Sequence, residues 1–137
     1  MKQYEYFDVT ADIGFKAYGE TLNEAFENAG LAIFNIISDT SNISPLTEFE
    51  FEITSEDEVS LLYDYLEELL FYHEVEFMLF SQFDVVIDDN LHLKAKIKGE
   101  SINWDKHERK TEIKAITFHE MSVRKTNHVE LQAIVDL

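Results

Sequence analysis

Two carboxylate positions at opposite ends of this 137-residue sequence carry its most specific chemistry. Asp12 stands in Val9-Thr-Ala-Asp-Ile-Gly-Phe15, among small and apolar neighbours that give it no partner of its own. Asp136 and Leu137 close the apolar run Val129-Glu-Leu-Gln-Ala-Ile-Val135. A strand that stops on Val-Asp-Leu is expected to be packed in place rather than frayed, which fixes the Asp136 side chain beside the Leu137 carboxylate. Like charges that close call for something positive nearby. With Asp12 alongside, and with backbone carbonyls, they form an all-oxygen donor set suited to a hard cation such as Ca²⁺ or Mg²⁺. Calcium takes about 6–8 oxygens, so water or a partner's groups would complete the sphere. Spacing alone leaves a plainer reading open, in which Asp12 caps a turn and Asp136 is merely terminal.

Other reactive side chains are thinly spread. His73, His92, His107, His119 and His128 include no i, i+4 pair and no His-Glu-x-x-His motif. His107, in Lys106-His-Glu-Arg-Lys110, and His119, in Thr117-Phe-His119, are the better site candidates, with a structural role as the alternative. There is no cysteine, and only four glycines from which to build a phosphate-cradling loop. No Gly-x-Ser-x-Gly elbow or Walker loop occurs either. The stripe Lys94, Lys96, Lys98 can touch phosphate or simply form the wet face of a strand. Glu68, next to Glu67, follows an apolar helical spine closely enough to serve as a functional carboxylate, with ordinary solvation of the helix as the alternative.

The elements that must position these groups are legible from periodicity. Thr21-Leu-Asn-Glu24 reads as a capping box. Leu22, Ala25, Phe26, Ala29, Ile33, Ile36 and Ile37 then repeat at helical spacing, giving a buried helix of about four turns. Ser55-Glu-Asp-Glu58 reads as a second box, opening a helix with Val59, Leu62, Leu66, Leu69 and Leu70 inside. Phe49, Phe51 and Ile53 alternate with Glu48, Glu50 and Glu52 as a strand with one acidic wet face. Tyr4 to Ala17 reads as a strand pair, and from residue 75 onward strands follow, with Asp88-Asp-Asn90 as a hairpin turn. The expected fold is α+β: two capped amphipathic helices packed on a largely antiparallel β-sheet, in one compact domain spanning 1–137.

Charge narrows the partners. Net charge is −17, and it is uneven: residues 1–93 hold 21 Asp/Glu against two Lys/Arg, residues 94–137 seven against nine. Such a surface repels nucleic-acid backbones, so no direct nucleic-acid contact is expected, and any link to RNA or DNA is expected to run through a basic protein partner; the alternative reading is that the charge serves solubility alone. No signal peptide or membrane-length apolar run is read, which makes a cytoplasmic protein the expectation.

Taken together, the motifs resemble the archease family from end to end. Thr10-Ala-Asp-Ile-Gly14 is similar to its N-terminal signature; Glu24-Ala-Phe-Glu-Asn-Ala29 and Leu61-Leu-Tyr-Asp-Tyr-Leu-Glu-Glu-Leu-Leu70 are similar to its two helices. Gly99-Glu100 with Lys106-His107, then Glu112-Ile-Lys-Ala-Ile-Thr-Phe-His119, and Ile134-Val-Asp-Leu137 follow in order. The resemblance implies a non-catalytic activator of an RtcB-type RNA ligase in tRNA splicing and RNA repair, promoting guanylylation and repeated turnover of the ligase. It further implies a divalent cation, calcium first with Mg²⁺ or Mn²⁺ as alternatives, held by Asp12, Asp136 and Leu137. Glu68 and Lys106 correspond to further positions implicated in activation. Two departures stand out: Val9 where members usually carry His, and Phe118 where they usually carry Tyr. Two rival functions remain: a metal-dependent phosphate-ester hydrolase, and a general chaperone or scaffold presenting its aromatic-rich surface.

Overall fold

The computed structural model describes all residues, 1–137. Seven antiparallel strands and two helices account for most of the chain. The strands are β1 (Tyr4–Val9), β2 (Asp12–Gly19), β3 (Thr47–Thr54), β4 (Met78–Ile87), β5 (His92–Ser101), β6 (Ala115–Lys125) and β7 (Val129–Asp136). The helices are α1 (Leu22–Ile37) and α2 (Glu58–Val75), with a short 3-10 turn at Thr40–Asn42. The α+β expectation holds, but the strands divide into two sheets rather than one. The four-stranded sheet runs β1-β2-β7-β6, and the three-stranded sheet β3-β5-β4. Both sheets and both helices share one cluster of 31 buried apolar residues.

Helix α1 forms where its capping box predicts. Thr21 Oγ1 accepts from the Glu24 N–H at 3.2 Å, and Glu24 Oε1 accepts from the Glu20 N–H at 3.1 Å, one residue ahead of the cap itself. This helix ties the two sheets together. Asn28 Nδ2 donates to the Tyr18 carbonyl of β2 at 2.6 Å. On the other sheet, Glu27 and Asn23 side chains accept from the Val85 and Ile87 N–H groups of β4, both at 2.9 Å. Gly30 permits the close approach: a Cβ there would stand 2.6 Å from the Phe83 ring of β4. Tyr6 adds a bond from β1, its hydroxyl donating to the Ala32 carbonyl at 2.6 Å.

Helix α2 begins later than the second capping box implies. Its cap is Asp57, whose Oδ1 accepts from the Ser60 N–H at 2.7 Å, while Ser55 Oγ donates to Asp64 Oδ2 at 2.6 Å. A carboxylate cap gains from the positive helix terminus in a way a hydroxyl does not, so Asp57 displaces Ser55 from that position. Leu61, Leu62, Tyr65, Leu66, Leu69 and Leu70 are the buried face, at the i, i+3, i+4 spacing that places side chains on one side of a helix. Val59, expected inside, is only half-buried. Replacing Asp57 by Ala should lower stability by about 1 kcal/mol, measured by urea unfolding. Ser55→Ala should stay within about 0.5 kcal/mol of the parent; equal losses for the two would return the cap to Ser55.

Candidate metal centre

The two ends of the sequence meet through backbone pairing. Strands β2 and β7 run antiparallel with Asp12 opposite Asp136, Ile13 opposite Val135 and Gly14 opposite Ile134, through to Gly19 opposite Val129. Residues directly opposite in such a pair project their side chains to the same face, with Cβ atoms about 4.5–5.5 Å apart. The same rung continues outward to Val9 of β1, opposite Asp12, and to Ala115 of β6, opposite Asp136. The row Val9, Asp12, Asp136, Ala115 therefore crosses all four strands.

Alternation sets which face that row occupies. Phe15, Ala17, Leu131, Ala133 and Val135 are buried in the common core, so Asp12 and Asp136 project from the opposite face of the sheet. The next rung on that face holds Phe7, Gly14, Ile134 and Thr117. The Phe7 ring fills the space over Gly14, where a Cβ would stand 2.2 Å from it. Ile134 is buried yet is the one buried apolar residue outside the core cluster. The two carboxylates thus stand beside a small apolar floor, which raises the cost of placing like charges opposite one another.

The backbone at this rung is held firmly. Lys114 donates its N–H to the Asp136 carbonyl at 2.8 Å, and Leu137 packs against the core. The two-residue turn Thr10-Ala11 enters Asp12 through Ala11 at φ 63°, a conformation unfavourable for a residue with a Cβ. No Lys, Arg or His forms an ion pair with Asp12 or Asp136; every salt bridge in the molecule lies elsewhere. Nor do three His, Cys, Asp or Glu side chains converge anywhere in metal-holding array. At this rung two side-chain carboxylates converge, and both offer the hard oxygen chemistry that calcium or magnesium takes. Val9 stands directly opposite Asp12 on β1 and offers it only methyl groups.

The remaining candidates lie apart from this rung. Glu68 is half-buried on α2; burial, and then the neighbouring Asp64, hold its carboxyl above the ordinary range. Lys106 is committed elsewhere: its Nζ donates to Glu100 Oε2 at 2.6 Å and to Ser44 Oγ at 3.0 Å. His107 is buried, with Nδ1 accepting from the Asn103 N–H at 3.0 Å and Nε2 therefore donating to the same Glu100 oxygen at 3.0 Å. It is a structural histidine. His119 is exposed beside Glu120, at 3.4 Å. The Lys94, Lys96, Lys98 stripe faces glutamates, opposite Glu52, Glu50 and Glu48 respectively, so its charge is matched within the sheet and not reserved for phosphate.

Two features escape sequence reading. One is a bulge in β6, where residues 118–121 stand against a single residue of β7. Glu120 takes φ 52° there and its carbonyl accepts from Gln132 Nε2 at 2.9 Å. The bulge lays the exposed Phe118 ring flat on Tyr63 of α2, at 3.9 Å between centroids. The other is Glu100, whose Oε2 collects Lys106, His107 and the Ser44 N–H, the last at 2.6 Å. The sequence offers Gly99-Glu100 and Lys106-His107 as motifs of the family resemblance, but nothing in their spacing shows that the four side chains of Glu100, Lys106, His107 and Ser44 meet.

Burial pushes the Glu100 carboxyl up. The bonds from Lys106, Ser44 and His107, together with the Lys106 charge, outweigh burial and hold it at about 2, below its ordinary 4.5. A depressed folded value means the cluster's stabilisation is complete above about pH 4.5 and drains away as pH falls toward 2. Glu100→Gln should therefore lower the urea midpoint at neutral pH, and the gap to the parent should close across that acid window. A gap constant down to pH 2 would show that charge at Glu100 is not what holds the cluster.

The fold and the rung together can be set beside known proteins. A family model described as the Archease protein family (MTH1598/TM1083) matches residues 4–137. Protein archease of Methanothermobacter thermautotrophicus is 52% identical, covering all of both chains. That of Sulfurisphaera tokodaii is 48% identical, again over the whole of both, and that of Pyrococcus furiosus 44% over 91% of this chain and 90% of its own. The solution structure of Methanobacterium thermoautotrophicum protein 1598 superposes over both full chains with a TM-score of 0.90 at 52% identity. A Thermotoga maritima archease, described as a possible chaperone, shares the fold at a TM-score of 0.67 and 22% identity, over 96% of this chain and 94% of its own. The chain belongs to the archease family.

Proposed function

We propose that this protein is a non-catalytic activator of an RtcB-type RNA ligase in tRNA splicing and RNA repair, acting in the cytoplasm. The observation that carries the reading is the rung that sets Asp12 opposite Asp136 with neither carboxylate in an ion pair of the protein's own. The chain belongs to the archease family, and the ligase as partner is what the resemblance to that family implies. In this reading Asp12, Asp136 and Leu137 would hold a divalent cation, calcium first and Mg²⁺ or Mn²⁺ as alternatives. That cation would supply a positive charge at the surface presented to the ligase.

The chain's own residues do the rest. The β2–β7 pairing holds the two carboxylates in fixed register, so little ordering remains to be done on binding. An activator shifts the ligase only through differential affinity for its states, so the rung must be favoured against the guanylylation-competent arrangement. Glu68 and Lys106 belong to partner contact or activation rather than to the metal. The one hydroxyl on the neighbouring rung, Thr117, is spent on the Ile134 carbonyl at 2.9 Å, which disfavours the hydrolase rival. The chaperone reading draws on exposed Phe71, Val75 and Phe77; it predicts aggregation suppression that ignores chelators.

The test is a guanylylation assay with purified ligase, with and without this protein and with and without chelator. Asp12→Ala and Asp136→Ala should each abolish stimulation while near-ultraviolet circular dichroism stays parental. In parallel, Ca²⁺ at about 100 times its dissociation constant should stabilise the parent by about 2.7 kcal/mol and leave both variants unchanged. Glu68→Gln should reduce stimulation without altering that calcium response. Either alanine variant stimulating as well as the parent would sink the metal-centred reading.

A further inference from the structure

The four sheet edges are treated unequally. On β4 the outward Val85 and Ile87 N–H groups are capped by Glu27 and Asn23 of α1. On β6 the four-residue bulge breaks the edge. Strand β3 has neither device. It is eight residues long, pairs without a register shift to β5 alone, and no turn or loop backbone bond ends on residues 47–54. β1 is also unpaired on its outer side, but it is shorter, at six residues.

Charge is ordered in stripes across the wet face of this sheet. Asp84 of β4 lies opposite Lys96; Lys94, Lys96 and Lys98 of β5 lie opposite Glu52, Glu50 and Glu48 of β3. β5 carries a positive stripe, flanked by the single acid Asp84 on β4, and the outermost stripe, on β3, is negative. Its grip on the lysines is loose: Lys96 to Glu50 spans 3.7 Å and Lys98 to Glu48 spans 3.9 Å, with all four side chains exposed, while Glu52 is held by His92 Nε2 at 2.6 Å. A second copy of β3 added at this edge would set glutamate against glutamate, which repels. A strand with lysine or arginine at alternate positions would continue the alternation.

We infer that the open edge of β3 is a docking site for an extended basic segment of a partner protein, which adds to the sheet as a fourth strand. The inference goes beyond the ligase reading and does not rest on it, because the edge and its charges lie on a different sheet from Asp12 and Asp136. Backbone hydrogen bonds to β3 supply affinity, and the glutamate stripe selects the sign of the guest.

The test uses an eight-residue fluorescent peptide with lysine at every second position and threonine or valine between, followed by anisotropy and by hydrogen exchange. Binding should weaken with salt and should protect β3 amides. The same peptide N-methylated along one edge keeps its charge but loses its donors, and should not bind. A variant carrying Glu48→Gln, Glu50→Gln and Glu52→Gln should lose affinity on the order of tenfold, since three cross-strand charge pairs go. Absence of binding by the unmodified peptide, equal binding by the N-methylated one, protection on β1 instead of β3, or parental affinity of the triple variant would each overturn the inference.

Discussion

The pairing of β2 with β7 is the constraint on which the rest of the molecule depends. It joins residues 12–19 to residues 129–136, so it closes a loop of nearly the whole chain, and such a contact is slow to form. Its register is dictated from the other face of the sheet. Phe15 and Ala17 of β2, with Leu131, Ala133 and Val135 of β7, are all buried in the common core. A slip of one residue would turn that entire set toward water. The core therefore fixes the position of two carboxylates that take no part in it, and Asp12 faces Asp136 because Phe15 and Val135 must face inward.

The segment 102–114 carries this constraint to the second sheet without any helix or strand of its own. Its start is fastened by the Ile102 N–H on the Phe77 carbonyl at 2.9 Å and by Lys106 and His107 on Glu100. Midway, the Lys110 N–H reaches the Ile37 carbonyl at the end of α1, at 3.0 Å, and Lys110 Nζ the Asn35 carbonyl at 2.6 Å. It finishes with buried Ile113 and the Lys114 N–H on Asp136. Fastened at its start, midway and at its end, this segment is an ordered connector running from the Glu100 cluster to the backbone of the carboxylate rung. Lys106 and Asp136 belong to one connected framework although their side chains do not meet.

Local rules made much of this legible in the sequence. Helix α1, the acidic strand β3 and the Asp88–Asn90 turn follow from caps, alternation and turn chemistry, each decided within a few residues. The α2 cap was misplaced because Ser55 and Asp57 both satisfy a capping pattern, and only the charge of the acceptor separates them. Division of the strands into two sheets was not readable, since alternation names the face of a strand and not its neighbour. The Asp12–Asp136 approach was suggested by chemistry and confirmed by register, but spacing over 124 positions could not have fixed it. The β6 bulge left no pattern at all: Phe118-His-Glu-Met121 reads as an ordinary strand, and only the partner strand shows that three residues are in excess.

The uneven charge of the chain resolves into a structural arrangement rather than a dipole. The lysines of β5 come from the basic C-terminal third of the sequence and the glutamates of β3 from the acidic remainder, and the sheet interleaves them. Lys125 pairs with Glu58 on α2 in the same way. With 28 acids against 11 Lys and Arg, pairing cannot go further, and most carboxylates remain in solvent. That excess has a consequence at the sheet margins. An unpaired eight-residue strand with Phe49, Phe51 and Ile53 on one face would be an aggregation hazard in a neutral protein. Here its other face carries a glutamate at every second position, so copies of the same edge repel while the core face stays buried against Tyr65, Tyr72 and Phe80. The acidity that keeps like from pairing with like leaves the edge open to the opposite sign.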